Sequence, residues 1–504
     1  MIKELNDLVH FIKTSVWRDE ELLGFFARED PDLLSLYRAI WQNALHSDES
    51  AAQAIGTGLT RYKQLGRQLR KHLRNLSVFF NEEKAKADAT TRNYLEGTLE
   101  LAFLQLLHTR GYRHAPLEMA KRLYRRGIDY EWPVFVAEAL RMMKAAAASR
   151  HGQEKAFELY AGQYRMYRKY ADWEEQAAEY VQWSKLPGLH RMLTPQQIQE
   201  RLRGYLDQLG EHLGAVPSYW FHLHYFRLRG DYALGQEDYA GALDGYDEAL
   251  AYFEARPYPV SEALAMFHCH KIIACTLLNR YEQGETAALA ALDHAPDASF
   301  AFFYAYELYF YLAMHTAHFE QALDIFQTAT LHKRFGNLSL PQRETWHLLG
   351  AYLYIVYQLN GWPLPDKSLP VFKSFRFINE TPASLRDKQG RNTAAQLAHL
   401  LLQILEGRDD AALERLDALD KYRSRYLQGA ATARSERLVK ILACLPAAGF
   451  EADAFLRKSR RLRDQLAQLP RQLANRTHEL EIIPYEQLIQ HLAGYLLRRK
   501  KNGK

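Results

Sequence analysis

Apolar residues recur with the spacing of an α-helix along most of the chain, and the pattern is clearest between Phe226 and Leu250. One helix face there is formed by residues spaced i, i+3, i+7, i+10 and i+11, namely Tyr239, Ala242, Tyr246, Ala249 and Leu250. Large tyrosines alternate with small alanines, and the small residues let a second helix approach closely. Gly230 precedes this face and serves the same close approach because it lacks a Cβ. The pattern predicts a helical hairpin that turns at residues 235–238.

Two further copies of the pattern follow at similar intervals. The second-helix positions return 42 residues after Tyr239, at Tyr281, Gly284, Ala288, Ala291 and Pro296. They return 38 residues later at Phe319, Ala322, Phe326 and Ala329. A fourth first helix is indicated by Trp346, Leu349 and Gly350, without a recognisable second helix. Such a period is typical of stacked helical repeats, which need about three units to bury a continuous core.

The hairpin resembles the tetratricopeptide repeat, whose unit of about 34 residues carries large and small residues at set positions. The matching residues are Phe226, Gly230, Tyr239, Ala242, Tyr246 and Ala249, whereas Ala233 and Glu254 depart from the pattern. The resemblance covers about 130 residues, from Trp220 to Leu353. Residues 478–485 are also similar to the ends of other uncharacterised bacterial helical-repeat proteins. The resemblance implies an all-α protein, a degenerate α-solenoid of antiparallel hairpins with helical N- and C-terminal extensions.

In proteins of this type the first helix of each pair lines a concave groove, so the resemblance also implies where a partner binds. The groove positions carried over by register are His224, Arg227, Asp231, Met266, Cys269, Ile273, Thr276, Tyr304, Glu307, Tyr311 and His315. This set is mixed, aromatic and mildly acidic, and it lacks the Lys/Arg pattern that clamps a C-terminal carboxylate. A basic or aromatic peptide suits it better, through carboxylate pairing and tyrosine contacts.

The sequence predicts five regions along the chain. They are an N-terminal helical region (1–90), degenerate helical hairpins (91–215), the repeat array (216–360), a loop rich in Pro and Phe (361–393) and a basic C-terminal helical region (394–504). The four prolines of the loop exclude a long helix, and both a structural wrap and a binding loop remain open.

Individual helices are also predicted from the apolar pattern and from capping residues. One helix is expected from Ser50 to Leu76 and another from Gln153 to Tyr170. Thr194-Pro195 predicts a helix start, because threonine caps free N–H groups and proline suits the first turn. The basic tail from Arg498 to Lys504 is expected to be frayed.

Charge is distributed unevenly, although the formal net charge is only +5. Between residues 207 and 330 there are 17 Asp and Glu against 5 Lys and Arg, whereas residues 421–504 hold 18 Lys and Arg against 7 Asp and Glu. The acidic centre favours a basic partner and the basic end an acidic one, although such faces can also dock on each other or remain solvated.

Two basic stretches support an alternative, nucleic-acid binding. Their residues are Arg67, Arg70, Lys71 and Arg74 in the N-terminal region and Arg457, Lys458, Arg460 and Arg461 in the C-terminal region. Cations at helical spacing can follow a row of phosphates. Leucines on the opposite face of the first stretch indicate that this opposite face is packed, which favours an ordinary solvated surface for the basic face.

The sequence offers little catalytic chemistry. Cys269, Cys275 and Cys444 are too few and too widely spaced for a disulfide framework or a zinc site. The histidine pairs 222/224 and 268/270 are two residues apart, so their rings diverge on a helix and cannot chelate one metal ion. No phosphate-binding loop, dinucleotide fingerprint or hydrolase motif occurs. We therefore expect no cofactor and no enzymatic activity.

Composition places the protein among globular helical proteins. Hydrophobic residues make up 48% of the 504 residues and charged residues 25%, with only 27 Gly and 17 Pro. The sequence contains no run of about 18 apolar residues, so we expect no membrane span. The charged N-terminus is unlike a signal peptide. We expect a cytoplasmic adaptor or scaffold that binds a protein or peptide, with its oligomeric state left open.

Overall fold

The computed structural model is all-α, with 81% of the chain in helices and no strand in the part that it describes. The described residues are 1–26, 30–42, 45, 47–79, 89–149, 152–186, 189–363, 390–427, 429, 432–471 and 481–501. The chain forms two compact units. The first unit comprises residues 1–175, 215–220 and 257–259, and the second comprises residues 176–214, 221–256 and 260–504. The predicted all-α fold class is thereby confirmed.

The N-terminal part of the first unit packs four helices around a fifth. They are α1 (Ile2–Ser15), α2 (Asp19–Phe26), α3 (Asp32–Gln42), α4 (Asp48–Ala54) and α5 (Leu59–Leu76). Each of α1 to α4 packs against α5, which buries Leu65, Leu69 and Leu73. The prediction of one helix from Ser50 to Leu76 was wrong. Gly56 adopts φ +67 and ends α4, and Gly58 caps the start of α5.

The first unit continues with two helical pairs. These are α6 (Ala89–Thr109) with α7 (His114–Asp129), and α8 (Pro133–Ala148) with α9 (Glu154–Ser184), whose residues after 175 are assigned to the second unit. Positive φ angles at Gly111 and Gly152 mark the turn within each pair. Helix α9 is longer than predicted, because no helix-breaking residue follows Tyr170 before residue 185. The predicted boundary near residue 90 falls mostly on residues 80–88, outside the described part.

The second unit contains the predicted repeat array, preceded by α10 (Leu189–Met192) and α11 (Pro195–Gly210). Thr194 caps α11 as predicted, because its side chain accepts a hydrogen bond from the Gln197 N–H. The array runs through α12 (Tyr219–Gly235), α13 (Tyr239–Glu254), α14 (Ser261–Leu277), α15 (Tyr281–His294), α16 (Phe300–His315) and α17 (Phe319–Thr330). From α13 onward each helix packs against the next, and α14 also packs against α16. This packing is compatible with a helical repeat.

The two helices of the first hairpin, α12 and α13, come into close contact at Gly230. A Cβ added at this residue would lie 2.3 Å from Cε1 and 2.6 Å from Oη of Tyr246, so only glycine fits against the tyrosine ring. Phe226 of α12 also contacts Tyr252 and Phe253 of α13. The close approach of the two helices that was predicted at Gly230 is therefore present, and Tyr246 is the residue that the glycine accommodates.

The rest of the second unit is helical as well. Its helices are α18 (Leu340–Asn360), α19 (Gly390–Leu405), α20 (Asp409–Tyr426), α21 (Ala433–Leu442), α22 (Ala452–Ala467) and α23 (Tyr485–Lys501). Helix α23 packs against α18 and α22. The prediction of a frayed tail was wrong for residues 498–501, because α23 extends to Lys501 and Arg499 forms a bidentate ion pair with Asp409 at 2.9 Å. Residues 502–504 of the predicted tail lie outside the described part. The predicted Pro/Phe-rich loop falls mostly on residues 364–389, outside the described part.

None of the described helices combines the length and the apolar composition that crossing a bilayer requires.

Candidate binding surfaces

The groove residues predicted on α12 differ in their exposure. His224 and Arg227 are partly exposed, whereas Asp231 is buried and pairs with Lys185. Burial lowers the pKa of His224 to about 4, so its ring is neutral at physiological pH. On α14, burial raises the pKa of the Cys269 thiol to about 12, which fits a small core residue rather than a nucleophile.

The groove residues predicted on α16 fall into two pairs. Tyr304 and Glu307 are partly exposed, but Tyr311 and His315 are only 2% and 1% exposed. The Tyr311 hydroxyl donates to a Glu307 carboxylate oxygen at 3.3 Å. Two of the four side chains therefore belong to the interior and contribute no surface to a partner.

The C-terminal part of the chain covers His315. Its Nε2–H donates to the backbone oxygen of Glu481 at 2.7 Å, and the Gln487 side chain donates to the His315 carbonyl at 3.0 Å. Complete burial lowers the pKa of His315 to about 4 and keeps the ring neutral. The first of these hydrogen bonds joins residues 166 positions apart, so no local sequence pattern predicts it.

The array carries a set of exposed carboxylates that the groove prediction did not include. Apart from Asp238, which caps α13, the exposed acidic residues without an ion pair in the described part of the chain are Glu237, Asp244, Glu254, Glu282, Asp293, Glu320 and Asp324. Few cations of the array are available to neutralise these carboxylates. Arg229 and Lys271 are held by Glu248 and Asp247, and Arg256 lies over the Tyr252 ring. The other two cations between residues 219 and 330 are Arg227, which is partly exposed, and Arg280, which is exposed. The surface of the array is therefore negative, as the charge distribution along the sequence predicts.

Four of these carboxylates occupy equivalent places in two different hairpins. Asp244 and Asp324 each lie five residues after the first residue of α13 and α17. Glu282 and Glu320 each occupy the second position of α15 and α17. The array thus presents carboxylates at matching positions, and a charge count along the sequence does not reveal this.

The two predicted basic stretches lie on exposed helix faces. On α5, Arg67, Lys71 and Arg74 are exposed and have no ion pair in the described part of the molecule. Arg70 forms an ion pair with Glu4, with 2.8 Å between Nη2 and Oε2. On α22, Arg457, Lys458, Arg460 and Arg461 are exposed and equally unpaired among described residues. Lys63, one turn before Arg67, extends the row on α5 and was missed in the sequence.

Metal chemistry finds no support in the described residues, which bring no three His, Cys, Asp or Glu side chains together in a metal-binding arrangement.

These observations define the class of protein: an all-α protein built from packed helical pairs, with an acidic array and two exposed basic helices. No protein-family model matches the chain, and no curated protein or solved structure shows significant similarity to it. Its function is therefore inferred from its own surfaces.

Proposed function

We propose that the protein is a protein-binding scaffold whose helical array, residues 219–330, binds a basic segment of a partner protein in the cytoplasm. The array is taken to stack in the manner of tetratricopeptide repeats, and its role is binding rather than catalysis. The observation that carries the proposal is the set of seven exposed carboxylates at partly repeating positions that form no ion pair with another described residue. Complementary charge steers a partner to such a surface and selects against acidic competitors.

Aromatic side chains on α16 of the array supply contacts other than charge. Tyr304 and Glu307 are partly exposed one turn apart on α16, and Phe300 stacks on Tyr304 with ring centroids 5.7 Å apart. Phe300 is itself 69% exposed. Aromatic rings of this kind are enriched where proteins bind each other, and they also attract Lys and Arg through cation–π contacts. A basic segment therefore suits this surface better than a neutral one.

A charge-neutralising variant tests the proposal. Asp244→Asn, Glu282→Gln and Asp324→Asn together remove three carboxylates from three helices of the array. Each exposed ion pair contributes roughly 0.5 kcal/mol, so the affinity for a labelled Lys/Arg-rich peptide should fall about tenfold, measured by fluorescence anisotropy. Asp7→Asn, Asp129→Asn and Glu158→Gln remove three exposed carboxylates from the first unit and form the matched control.

The control separates a site from a general charge effect. The proposal requires the control to bind the peptide within about twofold of the unaltered protein, since small surface changes rarely alter affinity more. Equal losses in both variants would mean that only total charge matters. Pull-down of partners at near-physiological salt should in addition depend on Tyr304, tested as Tyr304→Ala. Tyr311 does not serve this purpose because it is buried, and its removal would damage the core.

A further inference from the structure

The exposed face of α5 carries a straight row of cations. The residues are Lys63, Arg67, Lys71 and Arg74, separated by four, four and three positions, so all four lie on one side of the helix. At 1.5 Å per residue the row extends over about 16 Å. All four side chains are exposed, and none has an ion pair within the described part of the chain. Among the described residues, carboxylates neutralise two other cations of α5 instead: Arg70 pairs with Glu4, and Arg61 pairs with Asp30 and Asp32.

The opposite face of α5 holds the helix firmly in the first unit. Tyr62, Leu65, Leu69, Leu73 and Leu76 are all 0% exposed and belong to the core formed with α1 to α4. The cationic row is therefore presented by a rigid element. A basic helix that enters a membrane interface must bury its apolar face in lipid. The apolar face of α5 is already occupied, which argues against a lipid surface as the partner.

Two apolar residues lie exposed where the row ends. The helix continues into a 3-10 turn, Ser77–Phe79, in which Val78 and Phe79 are 67% and 49% exposed. Both residues follow Arg74 within five positions, just after the last residue of α5. A track of cations that leads to an accessible aromatic ring is the combination with which proteins bind single-stranded nucleic acid. The cations follow the phosphates, and a base stacks on the ring.

We infer that α5 and the turn Ser77–Phe79 form a binding surface for single-stranded nucleic acid, separate from the acidic array. Phosphates would contact Lys63, Arg67, Lys71 and Arg74, and one base would stack on Phe79. The surface lies wholly within the first unit and does not depend on the proposed function of the array.

The experiment uses the full-length protein and a fluorescent oligothymidylate of 20 nucleotides. Four phosphate contacts on a single strand predict that the logarithm of the association constant falls with the logarithm of salt with a slope of about −2.8. The variant Lys63→Gln/Arg67→Gln/Lys71→Gln/Arg74→Gln should bind several hundred-fold more weakly near 0.1 M salt, roughly fivefold for each cation that no longer pairs with a phosphate. Phe79→Ala should weaken binding about tenfold without changing the salt slope, because stacking releases no counterions.

The matched control is the quadruple variant Arg457→Gln/Lys458→Gln/Arg460→Gln/Arg461→Gln on α22 of the other unit. It removes the same charge from exposed cations that have no ion pair with any described residue. It should retain at least half of the affinity. If both quadruple variants weaken oligonucleotide binding equally, net charge explains the binding and the inference fails. Single Arg67→Gln, with an expected decrease of about 0.7 in the salt slope, keeps the inference testable if the quadruple variant does not fold.

Three further results would overturn the inference. One is the absence of oligothymidylate binding at about 25 mM salt, where phosphate contacts are strongest. Another is α5-dependent binding of vesicles that contain phosphatidylserine, without binding of the oligonucleotide. The third is tight binding of an acidic Glu-rich peptide with the same dependence on α5 and none on Phe79. Weaker binding of a duplex of the same length than of the single strand supports the inference, because paired bases cannot stack on Phe79.

Discussion

Helices α12 and α13 can pack together because Gly230 has no side chain. Gly230 lies against the Tyr246 ring, and a Cβ at this residue would approach ring atoms to between 2.3 and 2.7 Å. The ring is fully buried, so it has little room to move. We expect Gly230→Ala to lower the free energy of unfolding by about 1–3 kcal/mol through overpacking, measured by urea denaturation.

A second helical glycine of the same unit provides the control. Gly204 lies within α11, and a Cβ at this position would have no atom within 4 Å. Gly204→Ala should stabilise the protein by about 0.5–1 kcal/mol, because alanine restricts the unfolded chain and favours the helix. If both substitutions stabilise, Tyr246 is free to move and the close approach is not a constraint.

Glu174 makes stability depend on pH. Its carboxylate accepts a hydrogen bond from the Ser218 hydroxyl at 2.5 Å, and burial raises its pKa from 4.5 to about 7. The folded protein therefore binds this proton more tightly than the unfolded chain does. The stabilisation is present below about pH 4.5 and is lost as pH rises through 7, at a cost of up to about 3 kcal/mol.

The variant Glu174→Gln keeps the size of the side chain and removes the titration. We expect it to match the unaltered protein in urea unfolding near pH 5 and to exceed it at pH 8. The neighbouring Glu175 is exposed, so Glu175→Gln should give no comparable pH-dependent difference. A Glu174→Gln variant that is less stable at pH 8 would show that the carboxylate is ionised and favourably bound there.

At the scale of helices, the sequence predicted those features that depend only on residues close together in the chain. The Gly230–Tyr246 contact, the Thr194 cap and the recurring alanines of α13, α15 and α17 follow from spacing and residue size. The break at Gly56 and Gly58 was missed because apolar spacing continues on both sides of it. The presence of a glycine within a helical pattern is not enough to predict that its φ angle is positive and that the helix ends there. The length of α9 was missed for the opposite reason, since nothing in its sequence ends it at Tyr170.

The candidate surfaces also divide into those that could be predicted from nearby residues and those that could not. The basic faces of α5 and α22 could be read from helical spacing, because exposure follows from the position of the apolar face. The groove positions could not, because their exposure depends on residues far away in sequence. Glu481 and Gln487 cover His315, and Lys185 pairs with Asp231. Register within one helix predicts which side a residue occupies, but not what packs on that side.

At the scale of the molecule, one buried charge network connects four helices of the second unit. Arg434 on α21 donates to both oxygens of Glu481 at 2.7 Å, to Glu486 on α23 and to the carbonyls of Leu466 and Leu469 at the end of α22. All five of its N–H groups are thereby used. Glu481 in turn presents its carbonyl to His315 on α16. Burial opposes the charge of Arg434, but its hydrogen bonds to the two carboxylates outweigh burial and raise its pKa.

The network should hold the C-terminal part of the chain against the array. Arg434 and Glu481 are only 3% and 1% exposed, so Arg434→Gln leaves Glu481 buried without its counter-ion. We expect the variant to lose about 3–5 kcal/mol of stability in urea unfolding. The pair Arg168–Asp172 is exposed on α9, and Arg168→Gln should cost less than about 1 kcal/mol.

A double substitution distinguishes a lost attraction from an uncompensated charge. Glu481→Gln added to Arg434→Gln removes the buried charge that the single substitution leaves behind, so the double variant should recover part of the lost stability. If instead the two substitutions destabilise additively, the residues act independently and the ion pair does not couple α21 to the segment before α23. Recovery would mean that the C-terminal segment is held over His315 by a matched pair of charges. The C-terminal end of α16 would then be covered by the chain itself, whereas the carboxylates of α13, α15 and α17 that we propose as the partner surface are exposed.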